Sequence, residues 1–84
     1  MIEEFYKYDG IDNGLHVLKL KLENHGYELS EENKVFARHA FISIFQDRIG
    51  PVKLKIMDVS DKLYMEVDAN NGNHGVFVFD LVNI

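Results

Sequence analysis

The side chains of this chain that could do chemistry are few and scattered. Among its 84 residues there is no cysteine and no threonine, and the serines are Ser30, Ser43 and Ser60. Without cysteine there is no thiolate nucleophile, disulfide or cysteine-ligated zinc. No G-x-S-x-G surrounds any serine, and each has a plainer place: Ser30 before a helix, Ser43 on its polar side, Ser60 in a turn. The histidines His16, His25, His39 and His74 are nowhere spaced one, three or four residues apart, as a local metal pair would be. An enzyme working by histidine and carboxylates alone would rest on His74, His39 and Asp68, which only folding could bring together. The glycines form neither G-x-G-x-x-G nor G-x-x-x-x-G-K-S/T, so no nucleotide cofactor is indicated.

The stretch "DANNGNHG", Asp68 to Gly75, is the densest cluster of oxygen and nitrogen donors. As a calcium loop it fails, because the fifth and sixth positions fall on Gly72 and Asn73 and no glutamate stands at the twelfth. As a turn its composition is explained directly: Asn71-Gly72 suits a two-residue type I′ turn, whose central residues both need positive φ. "DGIDNG", Asp9 to Gly14, reads as a turn for the same reason. No metal site is expected.

Lys19, Lys21, Lys53 and Lys55, with Tyr64, Phe77 and Phe79 as stacking surfaces, would suit a sheet that binds single-stranded nucleic acid. The net charge of −5, from 14 acidic against nine basic residues, opposes a chain that tracks phosphates. Nucleic acid is therefore an unfavoured partner.

Elements must position these groups. From residue 30 to 50 the chain reads as a helix, with Ser30 as N-cap, Glu31 and Glu32 in the first turn, Arg48 in the last, and Gly50-Pro51 as the stop. Phe36, Ala37, Ala40, Phe41, Ile44 and Phe45 form its broad apolar face, and Val35, Ile42 and Ile49 recur every seven residues beside it. Residues 52–57 and 63–68 alternate as the strands of a hairpin. A two-residue Ser60-Asp61 loop would set Met57 opposite Tyr64, Lys55 opposite Glu66 and Lys53 opposite Asp68. A strand from 76 to 82 follows. Upstream, Leu18, Leu20 and Leu22 alternate with Lys19 and Lys21, so residues 15–23 read as another strand. Residues 2–8 form a first strand, or alternatively a short helix on Ile2, Phe5 and Tyr6. The expectation is one α+β domain over 1–84, a mostly antiparallel sheet of four to five strands with one main helix on one face, in the order ββαβββ or αβαβββ.

That architecture carries more apolar surface than one helix covers. Val76, Val78 and Val82 on one side of the last strand, and Phe77, Phe79 and Leu81 on the other, are all apolar. With the Asn71-Gly72 register, Phe77 and Phe79 join Met57 and Tyr64 on the face away from the helix. Exposed apolar patches of this kind mark interfaces. The expected function is a small non-enzymatic protein-interaction module, a homodimer or a binder or inhibitor of another protein. It would act through Met57, Tyr64, Phe77 and Phe79, or through the Val35/Ile42/Ile49 stripe, and changing Phe77 and Phe79 to serine should abolish association and leave the fold. The nucleic-acid-binding sheet is the alternative. No cofactor or small-molecule substrate is indicated. No apolar run approaches the ~18 residues a membrane helix needs and no basic, apolar leader opens the chain, so the cytoplasm is the expected location.

Overall fold

Residues 15–23 alternate like a strand yet coil into a helix, and this is the main departure from the expected order. In the structure, a computed structural model, the chain runs β1 (Ile2–Asp9), α1 (Ile11–Glu23), β2 (Tyr27–Leu29), α2 (Glu31–Phe45), β3 (Ile49–Met57), β4 (Lys62–Asp68) and β5 (His74–Asn83). The described residues are 1–45, 49–68 and 74–84; the side chains of 43–45, 49, 68 and 74 lie outside the description. The order is therefore βαβαβββ, neither ββαβββ nor αβαβββ, and the α+β class with an antiparallel sheet holds.

α1 forms because a second pattern underlies the alternation. Ile11, Leu15, Leu18 and Leu22 recur at helical spacing, and this stripe packs on the core, while Leu20 is left largely exposed. Gly10, at φ 87°, turns the chain out of β1, so "DGIDNG" is the start of a helix and not a closed turn. Gly26, at φ 82°, ends it; the N–H groups of His25 and Gly26 bond back to the carbonyls of Leu22 and Glu23.

α2 begins as expected. The Asn33 N–H donates to the Ser30 Oγ at 3.2 Å, and Glu31 and Glu32 occupy the first turn. The helix was expected to run to Gly50, but Ile49 and Gly50 already belong to β3, and Arg48 lies outside the described residues. Ile49 therefore leaves the Val35/Ile42/Ile49 stripe.

The five strands form one antiparallel sheet in the order β1-β3-β4-β5-β2. Both helices pack on one face, where Leu18 and Leu22 of α1 and Ala37 and Phe41 of α2 meet Tyr8, Val52, Leu54, Ile56, Leu63, Met65, Val67, Phe79 and Leu81. Two helices thus cover this face instead of one. They approach closely at Gly14, where a Cβ would stand 2.7 Å from Cε1 of Phe41. Phe41 in turn sets its ring edge-on to Tyr8, centroids 5.3 Å apart.

Two registers differ from expectation. Asp58 to Asp61 connect β3 to β4, with Asp61 at φ 51° and the Ser60 N–H bonded to the Met57 carbonyl. This longer loop shifts the hairpin by two residues, setting Met57 opposite Lys62, Lys55 opposite Tyr64 and Lys53 opposite Glu66. A shift of two preserves the faces. Between β4 and β5, Asp68 pairs with His74, Met65 with Phe77 and Leu63 with Phe79. That is one residue from the register of a two-residue Asn71-Gly72 turn, and one residue exchanges the faces. The Asn71-Gly72 turn itself lies outside the described residues. The outcome follows size: Phe77, Phe79 and Leu81 offer more apolar area than three valines, so they go inward.

Candidate protein-contact surface

The exchange of faces determines which side chains the outer surface of the sheet presents. Phe79 is buried, with 1% of its surface accessible, and Phe77 is half-buried against the core; neither belongs to an outer patch. A double change of these two to serine would empty the core instead of testing an interface. Tyr64 does lie on the outer face, 41% accessible, and Met57 lies half-buried on it. The side chains that replace the phenylalanines there are Val76, Val78 and Val82.

Across the strands, Glu3, Lys55, Tyr64 and Val78 form one row, and Phe5, Lys53, Glu66 and Val76 the next. The outer face therefore has a charged middle and two apolar margins. On the β1 side Phe5 is exposed, with the Lys53 Nζ 5.6 Å from its ring centroid. On the β5 side Tyr64, Val76, Val78 and Val82 form the larger margin. An ion pair between Lys62 and Asp80 crosses this margin between Val78 and Val82.

The helix side adds a second apolar area. Val35 and Ile42 are exposed on α2 as expected, and so is Phe36, which was expected in the core. The Phe36 ring still meets Phe79 edge-on at 5.9 Å, and Phe79 stacks on Phe77 at 6.4 Å. This aromatic file connects α2 to β5. Sequence reasoning missed Phe36, Val76, Val78 and Val82; the larger size of the competing set on β5 was the signal that could have found the valines.

The four lysines are not brought together. Lys19 and Lys21 sit on α1, on the covered side of the sheet, whereas Lys53 and Lys55 alternate with buried β3 residues and face outward. Lys19 lies 3.9 Å from Glu23, and Lys21 lies 3.3 Å from Glu4. Lys53 stands between Phe5 and Glu66 in the register, and Lys55 between Glu3 and Tyr64.

Several other polar groups tie elements of the fold together. Glu4 of β1 accepts from Lys21 and meets the Nε2 of His25 at 2.8 Å, tying the end of α1 to the sheet. His25, followed by Lys21, holds the Glu4 carboxyl below its ordinary range. The Tyr6 hydroxyl donates to the Gly14 carbonyl at 2.9 Å. Burial pushes the Tyr8 hydroxyl up to about 12, and it raises Tyr6 as well. Lys34 and Glu31, 2.8 Å apart, shift each other toward their charged forms. Between α1, β2 and α2 lies a cavity of about 180 Å³ walled mainly by Leu15, Leu18, Leu22, Leu29 and Ala37.

Asp68 and His74 are direct partners in the β4–β5 register, but their side chains lie outside the described residues. His39 is exposed on α2. Among the described residues no three His, Cys, Asp or Glu side chains are grouped to hold a metal ion, and no helix is long and apolar enough to cross a membrane. Compared with protein-family models, with curated proteins and with solved structures, the chain matches none.

Proposed function

We propose that this chain is a small non-enzymatic protein-interaction module, a homodimer or a binder or inhibitor of another protein, that works through the β5 margin of its outer sheet face. The observation that carries this reading is the shared exposure of Tyr64, Val76, Val78 and Val82 on one face of a sheet whose opposite face is already covered by two helices. Apolar side chains gathered at one margin gain by leaving water, at about 25 cal/mol per Å² buried, and the charged middle of the face supplies a polar rim.

The test compares wild type with a Tyr64→Glu/Val82→Glu variant, both positions being exposed, so that circular dichroism and melting should match. Association, measured as solution mass and as affinity capture of defined partners, should be present in wild type and lost in the variant. A wild type that associates with nothing, or a folded variant that associates equally well, would overturn the reading.

A further inference from the structure

The backbone of β5 adds a direction to this surface. The Leu81 N–H bonds to the Asp61 carbonyl beside β4, whereas the Ile84 N–H bonds to the Gly26 carbonyl beside β2. Amide and carbonyl groups alternate sides along a strand, so those of Phe77 and Phe79 point to β4 and those of Val76 and Val78 point the other way. The Asp80 carbonyl, which accepts from the Asn33 amide at 3.4 Å, points the same way as Val78. β2 pairs only with Leu81, Val82 and Asn83, and among the described residues no strand pairs with the second edge of β5 before that point. Val76 and Val78 thus present unpaired backbone groups and side chains that are 57% and 49% accessible.

The edge at the β1 end of the sheet is guarded differently. β1 carries Glu3, Glu4, Lys7 and Asp9, and the Asp9 N–H is already bonded to the Asn13 side chain at 3.0 Å. Charges of this kind keep an edge from recruiting strands. From Gly75 to Phe79, β5 has neither charge nor proline.

We infer that the second edge of β5 pairs antiparallel with the same edge of a second copy, about a two-fold axis through Phe77, joining two five-stranded sheets into one. This rests on the proposed interaction reading and names its partner. In that register each Val76 faces the partner's Val78, and such a facing pair exchanges both backbone N–H···O bonds. A slip of two residues in either direction sets a valine against His74 or Asp80 instead, and a slip of one sets outward-pointing groups against groups already bonded to β4. The interface is isologous, as a closed dimer requires. Phe36, exposed on α2 and continuous with the Phe79–Phe77 stack, lies beside the joined strands and extends the buried area.

Since the chain has no cysteine, single cysteines report the register without interference. Val76→Cys mixed with Val78→Cys should oxidise to a disulfide heterodimer at least about tenfold faster than either variant alone, because facing residues about 5.5 Å apart at Cα lie within disulfide range. Light scattering should give twice the chain mass for wild type and the single mass for Val76→Lys/Val78→Lys. Equal oxidation in the mixed and separate samples, or a dimer that survives both lysines, overturns the edge pairing. A wild type of single mass at every concentration also overturns it, while loss of a foreign partner in Tyr64→Glu/Val82→Glu would show that the interaction reading stands without it. Should the lysine variant fail to fold, the cysteine mixture still decides.

Discussion

Replacing Gly14 by alanine sets two opposed effects against each other at one position. Glycine inside a helix costs about 1 kcal/mol relative to alanine, so an unhindered substitution in α1 should stabilise the protein by about that amount. Here the new methyl would stand 2.7 Å from Phe41 Cε1, 3.2 Å from Phe41 Cδ1 and 3.2 Å from Tyr8 Cβ. The Phe41 ring cannot swing away freely: it is fully buried and held edge-on by Tyr8. Forcing a methyl group into a packed core costs typically about 1–3 kcal/mol. The clash should therefore win, leaving Gly14→Ala about 1 kcal/mol less stable and lowering Tm by about 4–8 °C for a domain of this size. Urea unfolding monitored by circular dichroism measures the difference. Repeating the substitution in a Phe41→Leu background isolates its cause, because removing the ring edge should reverse the sign for Gly14→Ala. A Gly14→Ala protein more stable than wild type, or a penalty unchanged in the Phe41→Leu background, would mean that contact with the Phe41 ring does not decide the balance.

Three further outcomes follow from the packing and charge pairing of the fold. Phe79→Ala should cost about 3–5 kcal/mol in urea unfolding and Val78→Ala well under about 1 kcal/mol at concentrations where the chain is monomeric; the reverse ranking would mean that β5 presents its other face to the core. The Glu4 carboxyl is held below its ordinary range, so its contribution is complete above the unfolded value of about 4.3 and is lost as pH falls through the lower folded value. Glu4→Gln should therefore be less stable than wild type above pH ~5, with the difference shrinking in acid, and a gap constant across that range would contradict it. The Tyr8 hydroxyl is raised to about 12, so folding favours its neutral form and stability should fall as pH climbs from ~10 toward that value. Tyr8→Phe should flatten part of that alkaline loss in melts taken at stepped pH.

The sequence made some elements legible through chemistry confined to a few neighbours. The start of α2 could be read because Ser30 caps locally and Glu31 and Glu32 suit the helix end. The alternation of Val52, Leu54 and Ile56, and of Leu63, Met65 and Val67, correctly named the buried face of the β3–β4 hairpin. α1 was hidden because leucines at 18, 20 and 22 satisfy a period of two while those at 15, 18 and 22 satisfy a period of 3.6, and only packing shows that Leu20 is the one left out. The surface depended on less: β5 is apolar on both sides, so a single residue of register decided whether valines or phenylalanines faced water. Loop composition pointed to Asn71-Gly72, while the depth of the core required the larger side chains inside. The end of α2 was misplaced because Gly50-Pro51, a helix stop by type, lies within β3.

The most direct test of the account is amide hydrogen exchange along β5, followed residue by residue from dilute to concentrated protein. Phe77 and Phe79, whose N–H groups point to β4, should be protected at every concentration and serve as internal controls. Val76 and Val78 should exchange rapidly in dilute solution and become protected as the second copy pairs with them. Val76 and Val78 amides that stay unprotected at high concentration, beside protected Phe77 and Phe79, would contradict the claim that this edge seats a second copy.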